Sequence, residues 1–117
     1  MEIRHLITFK RVAELGSYTR AAESLFLTQP TISHQLSLLE EELGQKLFEL
    51  SGRRTVLTLA GQIFLPHVEH ILAQIEESRQ ALDDIKAGER GTVTIAAIGS
   101  STVYVLPELL YKFRLAH

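Results

Sequence analysis

The groups best suited to chemistry in this sequence are concentrated in one stretch, Thr28–Gly44, which reads TQPTISHQLSLLEEELG. Gln29, Thr31, Ser33, His34 and Ser37 bring an amide, three hydroxyls and an imidazole into two and a half helical turns. That set is suited to reading nucleic-acid bases. An amide pairs with adenine through two hydrogen bonds, a threonine methyl touches the thymine methyl, and Ser or His reaches base edges or phosphates. A second group lies further on, where Arg53 and Arg54 follow the turn-like pair Ser51-Gly52. Guanidinium groups there can hold phosphate oxygens. The competing reading of the first stretch is an ordinary surface helix.

The positioning elements follow from periodicity. Ile32, Leu36, Leu39 and Leu43 recur at steps of 4, 3 and 4, so they line one face of a helix. At roughly 100° per residue, Pro30, His34 and Ser37 point the other way, flanked by Thr31, Ser33 and Leu38. Thr28 is the expected cap, and Pro30 sits in the first turn, where backbone N–H groups lack partners anyway. Upstream, Ile3, Leu6, Phe9, Val12 and Ala13 predict a helix over Glu2–Leu15, closed by Gly16. Ser17 caps a second helix, Tyr18–Leu25, whose Ala21, Ala22 and Leu25 face inward and let another helix approach. Phe26 and Leu27 connect it to the third. Two helices joined by a tight turn, the second with a polar outer face, make a helix-turn-helix. Backbone N–H groups at the starts of the second and third helices can hold phosphates, with Tyr18, Thr19 and Arg20 beside them.

Leu47, Phe48, Val56 and Leu57 flank Ser51-Gly52 and predict a hairpin over 47–58. With arginines near its tip it suits a wing lying on the phosphate backbone; a surface loop with two solvated arginines is the alternative. Thr58 caps a long helix expected from Leu59 to Ala87, with Gly88 as its stop. Phe64, Val68, Ile71, Ile75, Ser78, Leu82 and Ile85 recur at steps of 4, 3, 4, 3, 4 and 3, the seam of a coiled coil. A rod of about 40 Å exceeds what the preceding core can cover, so the seam is expected to pair with a second copy as a homodimer. Pro66 removes one backbone hydrogen bond inside it. His67 and His70 could share a metal, but no third ligand is evident.

Thr92 to Ile98 reads as a buried strand, Ser100, Ser101 and Thr102 as a hydroxyl-rich turn, and Val103 to Leu115 as a helix. One strand cannot make a sheet, so these are expected to open an α/β domain of a longer protein. The fold class is thus mainly α, with a winged helix-turn-helix over 1–58, a linker helix over 59–88, and the truncated start of an α/β domain over 89–117.

Bulk properties exclude several classes. Apolar content of 45% and charged content of 22% in 117 residues suit a globular protein. There is no cysteine, hence no disulfide or thiolate metal site. No apolar run approaches the roughly 18 residues of a bilayer span, and no signal-peptide pattern is seen, so a cytoplasmic location is expected. Net charge is −2. Arg4, Lys10, Arg11, Arg20, Lys46, Arg53 and Arg54 balance Glu2, Glu14, Glu23, Glu40, Glu41, Glu42 and Glu49 as far as Pro66. Beyond it acids predominate, so a DNA-binding surface must be local to the front of the chain. No carboxylate pair in a cleft, nucleophile with a base, or phosphate-binding glycine loop is present, which argues against an enzyme.

The pattern Ala21-Ala22, Leu25, Thr28-Gln29-Pro30, Ser33, Gln35, Leu39-Glu40, Leu43-Gly44, Leu47-Phe48, Arg53-Arg54 and Leu57-Thr58-x-Ala60-Gly61 resembles the N-terminal part of a LysR-type transcriptional regulator. The resemblance covers about the first ninety residues. It implies a dimeric regulator that binds an inverted-repeat operator in double-stranded DNA, with the helix 28–44 in the major groove and the wing 47–58 on the backbone. It adds Thr28, Pro30 and Gln35 to the expected DNA-binding residues. It also implies a tetramer in the full-length protein and effector sensing by a C-terminal domain, for which Ser100, Ser101 and Thr102 would hold an anionic group. No cofactor is implied. Two positions depart from the family pattern: Leu50 stands in the wing where Arg is frequent, and His34, whose charge varies with pH, stands where Arg is frequent in the helix. A helical dimerisation module making protein contacts is the rival function; the paired arginines argue against it.

Overall fold

A computed structural model describes residues 1–90. The elements are α1 (Ile3–Leu15), α2 (Tyr18–Leu25), α3 (Gln29–Leu43), β1 (Phe48–Ser51), β2 (Arg54–Leu57) and α4 (Leu59–Arg90). The expected strand over 92–98, Ser100, Ser101, Thr102 and the helix after them lie outside the described residues. The chain divides into two compact units, Met1–Ala73 and Gln74–His117.

In the first unit the helix boundaries follow their caps. Gly16 and Gly44 close α1 and α3 in the left-handed conformation, at φ 66° and 70°, which glycine adopts without steric cost. The Ser17 hydroxyl accepts from the Arg20 backbone N–H at 3.0 Å, and that of Thr28 from Thr31 at 3.3 Å. These bonds satisfy donors that the first helical turn leaves open. Phe26, at φ 60°, closes α2 in the conformation that usually calls for glycine.

The core joins Leu6, Phe9 and Val12 of α1, Ala21 and Ala22 of α2, Ile32, Leu36 and Leu39 of α3, Leu47 and Phe48 at the wing's root, and Val68 of α4. Burying each of the larger side chains stabilises the unit by about 1.5–3 kcal/mol. Phe9 is its hub, with ring centroids 5.3 Å from Phe48 and 5.2 Å from Phe64. The wing is an antiparallel hairpin in the register Phe48↔Leu57, Glu49↔Val56, Leu50↔Thr55 and Ser51↔Arg54.

Three expectations need correction. The hairpin turn is Gly52-Arg53, one residue later than Ser51-Gly52, because Ser51 still pairs with Arg54. Gly52 takes the positive φ that a two-residue turn requires, 67°. The long helix does not stop at Gly88 but continues to Arg90. An interior glycine costs only about 1 kcal/mol against alanine and ends a helix only where a left-handed residue is needed. The heptad seam also loses one member, Val68. Val68 is enclosed in its own chain's core, so it is closed to a second copy, whereas Phe64, which packs on Phe9, stays half-buried. Leu59 and Ile63, outside that seam, are exposed instead.

The junction between α3, the wing and α4 is tied by backbone contacts. The Glu40 carboxylate accepts from the Leu47 N–H at 2.8 Å and lies 3.7 Å from the Lys46 ammonium. The Thr58 hydroxyl donates to the Lys46 carbonyl at 2.6 Å and accepts from the Gly61 N–H at 3.1 Å. The Thr58 N–H donates to the Leu47 carbonyl at 2.9 Å. These bonds set where α4 starts beneath the wing.

Candidate nucleic-acid interface

The starts of α2 and α3 and the inner side of the wing enclose an open cleft of about 440 Å³. Ser17, Tyr18 and Thr19 line it from α2, Gln29 and Ser33 from α3, and Phe48, Glu49, Leu50, Arg53 and Thr55 from the hairpin. Its walls therefore carry hydroxyls, an amide, a guanidinium and the N-terminal ends of two helices, groups that bind phosphate oxygens and base edges. Gln29 and Ser33 are one turn apart, and the Gln29 amide donates to the Ser33 hydroxyl at 3.3 Å. Their side chains are thereby set side by side on the outer face of α3.

The remaining candidates fall elsewhere. His34 and Ser37 are exposed on α3, as are Thr28 and Pro30 at its start. The Thr28 and Thr31 hydroxyls are 2.9 Å apart and partner each other. Gln35 is turned toward α1, its amide oxygen accepting from the Thr8 hydroxyl at 2.5 Å. Arg20 is exposed and does not line the cleft. The two arginines differ. Arg53 sits in the turn and lines the cleft. The Arg54 guanidinium lies over the Gly16 turn, 3.4 Å from where a side chain on Gly16 would begin. That turn also holds β2, since the Thr55 N–H donates to the Gly16 carbonyl at 3.2 Å. His67 and His70 are exposed on α4, and no cluster of three or more ligating side chains occurs among the described residues.

Ser17, Glu49, Leu50 and Thr55 were not among the expected site residues. Cross-strand pairing brings Leu50 and Thr55 together; the resemblance marks position 50 as a place in the wing where Arg is frequent, while Thr55 carries no signal before the hairpin's register and docking are known. Glu49 also borders the cleft, between the apolar Phe48 and Leu50.

Tyr18 is half-buried, with its ring edge-on to Phe48 at 6.1 Å. Burial, and secondarily the Glu40 carboxylate, push its phenol above the ordinary value. A group whose folded-state pKa is raised stabilises fully below its unfolded value, and the gain is lost as pH rises through the folded one. The denaturation midpoint is therefore expected to fall as pH rises above about 10, and to fall less for Tyr18→Phe. Equal alkaline losses in chemical-denaturation curves of the two proteins would refute this.

Residues 3–62 match the family of bacterial regulatory helix-turn-helix proteins of the lysR family. The chain belongs to the LysR family. Among its LysR relatives, a probable RuBisCO transcriptional regulator of Thalassiosira pseudonana is 42% identical over 95% of this chain and 36% of its own. The RuBisCO operon transcriptional regulator of Allochromatium vinosum is 38% identical over 100% of this chain and 38% of its own. The chain thus spans little more than a third of the length of these relatives. The fold is similar to the BenM DNA-binding domain solved with benA site 1 DNA, at a TM-score of 0.71 and 36% identity, over 75% of this chain and 99% of that one. The CbnR DNA-binding domain solved with DNA gives a TM-score of 0.69 and 38% identity, over 74% and 99%. The fold of this LysR chain is accordingly a winged helix-turn-helix followed by a long helix. Several LysR motif residues gain structural roles: Glu40 and Thr58 tie the wing's root, Gly61 lets α4 pass against it, and Gly44 closes α3.

Proposed function

We propose that this chain is the DNA-binding part of a LysR-type transcriptional regulator that recognises a specific sequence in double-stranded DNA. The observation that carries this reading is the cleft between α3 and the wing, lined by Gln29, Ser33 and Arg53. The solved complexes of similar domains with DNA support it. In this reading α3 enters the major groove and presents Gln29, Ser33, His34 and Ser37 to base edges. Thr28, Pro30 and Thr31 stand at its entry, and the start of α2, with Tyr18, Thr19 and Arg20, takes a phosphate. Gln35 acts through α1 rather than by direct contact. A footprint on the DNA upstream of the chain's own gene is the test; uniform, sequence-blind protection would count against it.

Arg53, which lines the cleft, holds the DNA backbone, whereas Arg54, exposed beside the Gly16 turn, lies outside the cleft. Arg53→Ala is expected to lower the slope of log affinity against log salt by about one. Arg54→Ala should give a smaller change in slope, because Arg54 does not line the cleft. Salt titrations of operator binding that give equal slopes for both variants would remove the distinction.

The protein acts as a homodimer on an inverted repeat. Ile71, Leu82 and Ile85 are exposed on α4 and Ile75 is half-buried; with Ser78 they keep the heptad spacing of a pairing seam. Sedimentation equilibrium at micromolar concentration should give a dimer, and a monomer there would defeat this point. The relatives are nearly three times as long. Effector sensing and tetramer formation belong in this reading to a C-terminal domain that Ser100, Ser101 and Thr102 help to open and that the relatives' additional length would complete. Among the described residues no helix is long and apolar enough to cross a membrane, and the regulator works in the cytoplasm, where its DNA is.

A further inference from the structure

Leu50 is out of place by composition. It is 75% exposed, yet it lines a cleft whose other exposed groups are polar. Its strand neighbour Phe48 is 8% exposed. Residues two apart on a strand share a face, so Leu50 continues the buried face of the wing beyond the edge of the core. Its cross-strand partner Thr55 also lines the cleft. An apolar side chain held there needs an apolar surface in the ligand.

Duplex geometry indicates which surface that is. A sugar–phosphate strand separates the major groove from the minor groove. If α3 occupies the major groove and the wing lies beyond it, the cleft between them receives that strand. Its phosphates meet the Arg53 guanidinium, the hydroxyls and the helix N-termini. What remains to face Leu50 is the carbon surface of a sugar. Deoxyribose offers C2′ as a methylene; ribose offers a hydroxyl there, the group by which proteins tell RNA from DNA. A hydroxyl pressed against a leucine loses water without gaining a partner.

We propose that Leu50 is a sugar-reading residue, which packs on the C2′ edge of one deoxyribose in the strand crossing the cleft and disfavours ribose at that position. This rests on the reading of the cleft as a DNA interface, and it deepens that reading by naming a specificity the base contacts do not provide.

The test uses a duplex recovered by in vitro selection with this chain from random-sequence DNA. Single ribonucleotides are placed one at a time along each half-site, and affinity is measured at fixed salt. One position, or two adjacent ones, should weaken binding about tenfold, the scale of an unpaired hydroxyl taken out of water. A 2′-fluoro sugar at the same position shares the ribose pucker without the hydroxyl, and should bind like deoxyribose. Leu50→Thr keeps a strand-forming residue and supplies a hydroxyl partner, and should abolish the ribose penalty with the melting temperature unchanged. A flat ribose scan on a tightly bound duplex would overturn the role of Leu50 while leaving DNA binding intact. So would a penalty that persists in Leu50→Thr, or an equal penalty from the fluoro sugar. Loss on replacing thymine by uracil, with ribose tolerated, would assign Leu50 to a base methyl and overturn the proposal. Failure to recover any duplex would remove the DNA reading and this inference together.

Discussion

Gly61→Ala is expected to destabilise the protein, although the same change within a helix ordinarily stabilises by about 1 kcal/mol. The reason lies at the junction of the wing and α4. A Cβ on Gly61 would sit 2.3 Å from the Leu47 carbonyl oxygen and 2.7 Å from Leu57 Cδ2. The leucine methyl can turn aside. The carbonyl cannot do so freely, because it accepts the Thr58 N–H at 2.9 Å. Relief requires α4 to lift from the wing's root, which strains the Thr58 contacts that set its start. Overpacking of this kind costs about 1–3 kcal/mol, and weakening the Thr58 bond adds about 1 kcal/mol; against the helix gain of about 1 kcal/mol, a net loss of about 2 kcal/mol is expected. Gly88→Ala is the control. Nothing lies within 4 Å of a Cβ there, and that variant should be neutral or slightly stabilised. Denaturant midpoints of the two variants check both signs; a Gly61→Ala protein as stable as the parent would contradict the packing described for this junction. Operator affinity should fall for Gly61→Ala alone, since the wing and α3 share that junction.

Phe9→Ala is expected to cost about 3–5 kcal/mol, the range for removing a buried aromatic ring. Phe9 is 0% exposed, and its ring touches both Phe48 and Phe64. One substitution therefore loosens α1, the wing and the first half of α4 together. Small domains are stable by roughly 5–15 kcal/mol in total, so much of the margin would go. Phe9→Leu leaves a smaller cavity and should lose less. Because the wing is seated on this ring, Phe9→Ala should also weaken DNA binding at temperatures where the domain is still folded. Thermal melts and binding isotherms on the same preparations measure both effects. Unchanged affinity in the folded range would mean that the wing is held mainly by the bond from the Thr55 N–H to the Gly16 carbonyl.

Much of this molecule is written locally. Capping and periodicity act over a few residues, so Gly16, Ser17, Thr28 and Gly44 could be read as helix ends without any knowledge of the fold, and the helices stop where those residues stand. The paired alanines, the apolar stripe of α3 and the arginines beyond it were enough to anticipate a winged helix-turn-helix of LysR type. Gly88 misled because a glycine alone does not say whether the chain must turn. The heptad seam misled at Val68 because a periodic apolar face is the same whether it meets its own core or a second copy. Nor could spacing separate Arg53 from Arg54, which are adjacent in sequence but face a cleft and a helix turn respectively. Elements, caps and polar outer faces follow from interactions between near neighbours along the chain. Which apolar residues are already covered, which arginine lines the cleft, and that Leu50 enters it depend on contacts between distant segments, and these arise only when the hairpin docks on α1 and α4 packs beneath it.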